Sequence, residues 1–439
     1  MNQSLKKEIG LLEAITIVVG VVIGSGIFFK ASSVFANAGT PFLGIAAWIV
    51  GGIITMASAL TVTEIATAIP KTGGVFAYLK ELYGDIWAFL FGWMQALIYV
   101  PGVTAALSIV FVTQATFFIP MSEVVQKILA IFMIFFIITV NIISTKLGSK
   151  VQLFSTIAKL IPIVVIIVCG LLLGKAGAVG AILGGAGKAT GAAGFGAAIL
   201  GTLWAYDGWV GVGNMAGELK NPGKDLPKSI IFGLGLTIGI YLLINIAIVN
   251  IMPVDQVIAS EKAASDAAVI LFGNGGASLI AAGILISIFG ALNGYLMTGV
   301  RIPFAMAQDN LLPFSNQLGR VSKKGQTPIG SFIFVGLLSS LYVLSGSFET
   351  LTNLAVFVIW IFFVMTVAGI FILRSKFKHL QSTYKVPLYP FIPLVGIAGG
   401  LYIIVSTLLT DTKNALFGIG ITLFGLPVYF YMKKKEKIA

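Results

Sequence analysis

Twelve long apolar runs occupy most of this chain, and they constrain its fold more than any other feature. They lie near residues 11–36, 43–69, 85–117, 123–144, 151–173, 196–216, 229–251, 277–302, 327–346, 350–373, 388–409 and 413–432. A bilayer-crossing helix takes about 20 apolar residues, so each run is long enough to span. Only 10% of the 439 residues are charged, against about 25% in a soluble domain, which excludes an aqueous globule. The sequence therefore predicts an all-α polytopic membrane protein with 12 transmembrane helices in a single transmembrane domain over 1–439. The first run follows Lys6, Lys7 and Glu8 and exceeds the apolar core of a secretory signal, so it reads as a retained helix.

Few side chains are available for bond-breaking chemistry. The chain has one histidine, His379, and one cysteine, Cys169, so neither a His/Cys metal cluster nor an internal disulfide can be built. No metal and no cofactor are expected. A net charge of +12 suits cationic cytoplasmic loops better than nucleic acid. With both termini placed in the cytoplasm, 21 of the 28 Lys and Arg residues fall on that side. Lys127, Lys175, Lys188, Lys262 and Lys413 fall outside, and Lys30 and Lys159 lie within spans. Loops are short, the longest outer ones being 174–195 and 252–276, so the function must reside within the helices.

Two runs carry an internal weak point. Gly24-Ser25-Gly26 interrupts the first and Tyr206-Asp207-Gly208 the sixth. Glycine costs about 1 kcal/mol relative to alanine inside a helix, and a flanked serine competes for backbone bonds. Five helices apart, the two breaks run in opposite directions, the layout of a five-plus-five inverted repeat: 11–173, then 196–373, with additional helices over 388–432. At a rise of about 1.5 Å per residue, Lys159 and Asp207 both fall near the midplane. Freed backbone groups at that depth must face protein or a polar cavity. The N–H groups of Ser25 and Gly26 suit an anion, and the carbonyls of Trp204 and its neighbours suit a cation. An amino acid zwitterion carries both. Close helix packing alone would explain one Gly-x-Gly but not paired breaks.

Lys159, Asp207, Glu64 and Glu218 lie within spans or at their ends. Lys159 costs about 2.5–3.5 kcal/mol to insert, so it reads as a fixed cation braced on carbonyls, a proton carrier, or a packing lysine neutralised by an acid. Asp207 reads as a helix N-cap, with its backbone carbonyl rather than its carboxylate toward substrate. Glu64 and Glu218 sit beside Pro/Gly turns and read as interfacial or gate-pair residues.

Seven motifs then give a specific likeness over nearly the whole chain: VVIGSGIFFK at 21–30, EIATAIPKTGG at 64–74, GDIWAFLFGW at 84–93, IAKLIP at 157–162, WAYDGW at 204–209, GELKNPGKDLP at 217–227 and SIFGALNGYL at 287–296. The chain resembles the L-type amino acid transporter family of the amino acid, polyamine and organocation superfamily, and within it the bacterial serine/threonine and alanine/serine/cysteine exchangers. The resemblance implies a leucine-transporter-type fold and a substrate carboxylate held at Ser25 and Gly26. It places the α-amino group on carbonyls at Val22, Trp204 and Asp207, with Trp204 as aromatic gate and Ile23, Gly24 and Ala205 completing the two breaks. Tyr295 falls where the family lines the side-chain pocket, though ordinary packing explains it equally. Lys159 and Tyr241 are implied to support the unwound first helix where relatives elsewhere hold sodium. The segment Thr113 to Ser122 lacks the cysteine that ties animal members to a glycoprotein, so no disulfide-linked heavy chain is expected.

The expected function is sodium-independent exchange of small neutral L-amino acids (alanine, serine, threonine, cysteine, glycine) across the cell membrane by alternating access. Proton-coupled amino acid uptake through Lys159 is the alternative. An enzyme would need clustered acid, base or metal residues, and a channel a pore-lining ring.

Overall fold

Inside a bilayer each backbone must close its own hydrogen bonds, and the computed structural model of the chain accordingly builds its regular elements as helices. It describes residues 10–69, 73–143, 145–175, 177, 180, 182, 188–214, 219–322, 327–377, 379, 380 and 382–436, with backbone alone at 145–152, 214, 435 and 436. In chain order the helices are α1 (Leu11–Val22), α2 (Gly26–Ala38), α3 (Pro41–Ala68), α4 (Val75–Tyr83), α5 (Asp85–Met94), a π-helical turn (Gln95–Tyr99), α6 (Val100–Ala115), α7 (Glu123–Ile143) and α8 (Thr145–Leu173). They continue as α9 (Gly191–Ala205), α10 (Gly211–Asn214), α11 (Pro222–Ile251), α12 (Val254–Ala259), α13 (Ala263–Gly299), α14 (Arg301–Gln308), α15 (Ser315–Leu318), α16 (Ile329–Ser345), α17 (Phe348–Lys376), α18 (Phe391–Thr410) and α19 (Thr412–Glu436). Among the described residues nine helices are long and apolar enough to cross a membrane, and the α1–α2 pair, bent by 44°, makes a tenth. The apolar helices α9 and α16 are shorter.

Each of the twelve apolar runs coincides with helix over most of its described residues, but several boundaries differ. The eighth was expected over 277–302; α13 is broken at Gly273 (φ +66°, ψ −178°), a conformation that favours glycine, so a first segment from Ala263 precedes the expected span and the second segment starts close to where it was expected. Helix α4 lies where a loop was expected, because a half-turn of polar residues (Lys80, Glu81) conceals an otherwise buried face of Val75, Phe76, Tyr78 and Leu79. The third run contains the π turn just before Pro101, which has no N–H to give to the Leu97 carbonyl. The Tyr342 hydroxyl of α16 donates to that carbonyl at 2.9 Å.

Side-chain caps start two of the long helices. The Thr40 hydroxyl accepts from the Leu43 N–H at 3.2 Å ahead of α3, and Ser347 accepts from the Thr350 N–H at 3.2 Å ahead of α17. Such caps contribute about 1 kcal/mol each. Burial is greatest along α3, α5–α6 and α17, with the two broken helix pairs among them, while α7 and α19 turn apolar side chains outward, Ile128 being 61% and Phe424 65% exposed. An outward apolar face is stable only against lipid or another apolar surface. Small residues let the central helices touch: a Cβ at Gly233 of α11 would come within 2.7 Å of Val18 on α1, and one at Gly290 of α13 within 2.5 Å of Ser155 on α8.

One end of the bundle carries the end of α2, the α6–α7 turn, α12 and the start of α17. The opposite end carries the end of α3, α4, α15 and the 377–390 segment.

Candidate functional site

The helix of the first span stops at Val22 and restarts at Gly26, with Ile23 extended (φ −74°, ψ 92°). Uncoiling there removes the N–H partners that the carbonyls of residues 20–23 would find four residues on. Two side chains from other helices replace them. Lys159 of α8, fully buried, donates from Nζ to the carbonyls of Gly20 and Ile23 at 2.5 Å each. The Tyr241 hydroxyl of α11 lies 2.8 Å from the Val22 carbonyl and 2.9 Å from that of Ala205, the last residue of α9. One phenol thus ties both broken helices at their ends. A buried carbonyl left without a donor costs about 1–3 kcal/mol, so these contacts hold the break open as a defined structure. Lys159 thus braces the carbonyls on either side of Val22, and Val22 itself is left to Tyr241.

On the far side of the break the first backbone bonds of α2 come from Phe28 and Phe29, both onto the Ser25 carbonyl at 3.1 Å. Among the described residues the N–H groups of Ser25, Gly26 and Ile27 therefore have no backbone acceptor, the ordinary condition of a helix N-terminus and a ready anion cradle. Above it, Trp204 Nε1 donates to Ser25 Oγ at 3.4 Å, and its ring stands edge-on to Phe348 of α17 at 5.9 Å. Gly24 faces Ala291 of α13, whose Cβ would be 3.1 Å from an added Cβ.

The space that Gly26 lacks a side chain to fill is taken by protein. A Cβ there would overlap the Cα and Cβ of Ala205. Gly26 therefore lets the start of α2 touch the end of α9.

The second break differs more from expectation. α9 ends at Ala205, residues 206–210 form turns, and helix resumes only at Gly211. Gly208 sits at φ +100°, and a Cβ there would lie 2.6 Å from Val21, so only glycine suits this turn. Asp207 is therefore not the N-cap of the following helix. Its buried carboxylate accepts from the hydroxyls of Tyr99, at the end of the π turn, and Tyr295 of α13, the latter at 3.2 Å. The Trp204 carbonyl already accepts the Asp207 N–H at 3.2 Å. The residues singled out in the two breaks are thus neighbours, with Tyr295 joined to them through Asp207.

At the α3 end, Glu64 forms an ion pair with Arg374 of α17 through two contacts, 2.9 Å and 2.8 Å, and accepts the Val386 N–H at 2.6 Å. That is the gate-pair alternative for Glu64; Glu218 lies outside the described residues. Sequence reasoning missed Tyr99, Arg374 and the Lys30–Glu349 pair described below. Tyr99 had one readable signal, the Pro101 two residues beyond it, which loosens the helix and rotates what precedes it. No group of three or more His, Cys, Asp or Glu residues suits a metal among the described residues.

The sequence itself matches known transport proteins over nearly its whole length. The amino acid permease family profile matches residues 9–429. The chain belongs to the amino acid permease family. It is 42% identical over 436 residues, 99% of each protein, to the serine/threonine exchanger SteT of Bacillus subtilis (strain 168). It is 33% identical to the b(0,+)-type amino acid transporter 1 of Mus musculus, over 97% of this chain and 88% of that one. It is 32% identical to the large neutral amino acids transporter small subunit 2 of Mus musculus, over 99% and 83%. As an amino acid permease family member it is a multi-pass membrane transporter and not an enzyme.

Proposed function

We propose that this permease exchanges small neutral L-amino acids across the cell membrane without sodium, by alternating access. The observation that carries the reading is the Lys159 ammonium bound to the Gly20 and Ile23 carbonyls. A fixed positive charge occupies the place in the unwound helix where a cation would otherwise be needed, so a bound metal ion need not accompany each substrate. The substrate carboxylate would lie on the N–H groups of Ser25 and Gly26, and its ammonium would share the carbonyls of Val22, Trp204 and Asp207, with Trp204 as lid. Ile23, Gly24 and Ala205 shape the gap, while Tyr295 borders the side-chain end. Serine and threonine head the substrate class, in keeping with the name of the Bacillus subtilis relative; alanine, cysteine and glycine follow by size.

The same reading has twelve spans, a five-plus-five inverted repeat over 11–173 and 196–373, two further helices, both termini cytoplasmic and no disulfide-linked heavy chain. Proton-coupled uptake through Lys159 remains the competing reading, since a buried ammonium with only neutral partners is the kind of group whose proton can leave. The test is uptake of labelled serine into proteoliposomes in sodium-free medium, with and without internal serine. Exchange requires internal amino acid; uptake that ignores it but follows a pH gradient supports the competing reading.

A further inference from the structure

Lys30, the fifth residue of α2, is fully buried, yet the transport site makes no use of it. Its ammonium pairs with Glu349 Oε2 at 2.7 Å and donates to Thr352 Oγ1 at 2.8 Å, both on α17. It also lies 5.2 Å from the centre of the Phe348 ring. Glu349 is quite different, with 48% of its side chain exposed, and it lines a cavity of about 420 Å³ with Phe29, Ser32, Ser33 and Phe348. Phe348 packs edge-on against Phe29 at 6.2 Å and against Trp204 at 5.9 Å, and Trp204 covers Ser25. The order from solvent to substrate site is therefore cavity, Phe348 with the Lys30–Glu349 pair beside it, Trp204, then Ser25.

We propose that Lys30 and Glu349 form a latch that fastens α17 to α2 and closes the outer path to the substrate site. The inference rests on the alternating-access reading above. A lysine buried for stability alone would serve worse than an apolar residue, because desolvation offsets most of what pairing contributes. For a moving gate that near-balance is useful: closed, the charges pair; open, both hydrate in the enlarged cavity, and the free-energy difference stays small. The other end of α17 is held by Arg374 on Glu64, so α17 is fastened at each end by one charge pair to α2 and α3. Opening the outer path breaks the first while the second persists.

The two partners are not equivalent, and this makes the latch testable. Loss of Lys30 leaves Glu349 free to turn into water. Loss of the Glu349 charge strands a fully buried ammonium, which can be hydrated only by opening the path. The probe is Ser25→Cys in a Cys169→Ala background, reacted in intact cells with a membrane-impermeant methanethiosulfonate and, in parallel, with a permeant one. Adding Glu349→Gln should speed impermeant labelling at least about tenfold, and Lys30→Met should speed it less. In Lys30→Met/Glu349→Gln no charge is stranded, and the rate should return to within about threefold of the parent. Unchanged labelling in Glu349→Gln, or a double variant as fast as that single one, overturns the latch while leaving alternating access intact. A thiol at position 25 that neither reagent reaches in any background overturns alternating access and the latch with it.

Discussion

Lys159 and Tyr241 together reach four carbonyls at the ends of broken helices, the ammonium donating to Gly20 and Ile23 and the single Tyr241 hydroxyl proton being shared between Val22 and Ala205. Lys159→Ala leaves two of them bare at about 1–3 kcal/mol each. Initial exchange rates in proteoliposomes should fall at least about tenfold at equal protein. Tyr241→Phe loses a single hydroxyl shared by two carbonyls, so its loss should be smaller, a few-fold by the net worth of about 1 kcal/mol per hydrogen bond. Equal losses in the two variants would contradict this division of roles. Midplane Lys159 was legible because a charge is expensive in a span and the sequence around it is apolar. Which carbonyls it meets was not legible, because that depends on the angle at which α8 crosses α1. Asp207 misled for a related reason: aspartate before glycine is a local capping signal, and the partners that capture its carboxylate, Tyr99 and Tyr295, come from 108 and 88 residues away. Lys30 carried no local signal either, since its partner Glu349 lies 319 residues on.

At the scale of elements, glycine placement announced both helix breaks, but the two sites use glycine differently. Gly208 is required by its backbone conformation and Gly26 by the contact with Ala205. Gly26→Ala forces α2 away from α9, an overpacking cost of about 1–3 kcal/mol. The thermal midpoint of the purified protein should drop by several degrees even without substrate. Weakened serine binding with an unchanged midpoint would restore Gly26 as a pure ligand-contact position. The apolar runs themselves were legible because bilayer thickness fixes their length. Their ends were less so: the first segment of α13, from Ala263 to the break at Gly273, precedes the expected span and was hidden because a stretch ending in Gly273-Asn274-Gly275-Gly276 reads as a loop. Helix α4 was hidden because its nine residues are too few to show a period.

For the whole molecule, the asymmetry of Lys and Arg predicts that the 374–387 loop faces the cytoplasm. Lys385→Cys in a Cys169→Ala background should resist an impermeant thiol reagent in intact cells and react after permeabilisation; ready labelling in intact cells would invert the orientation. The account stands or falls on whether Lys159 keeps its proton while substrate crosses. A permanently charged lysine bracing the first helix makes exchange electrically and chemically neutral for a neutral amino acid. The direct measurement is internal pH, followed with an entrapped dye, during serine uptake into sodium-free liposomes with and without internal serine and with no imposed gradient, because one-for-one exchange alone would carry any coupled proton back out. Robust exchange with a flat dye signal is the predicted result. An acidification that tracks uptake and vanishes in Lys159→Ala would contradict the bracing role and establish Lys159 as a proton carrier.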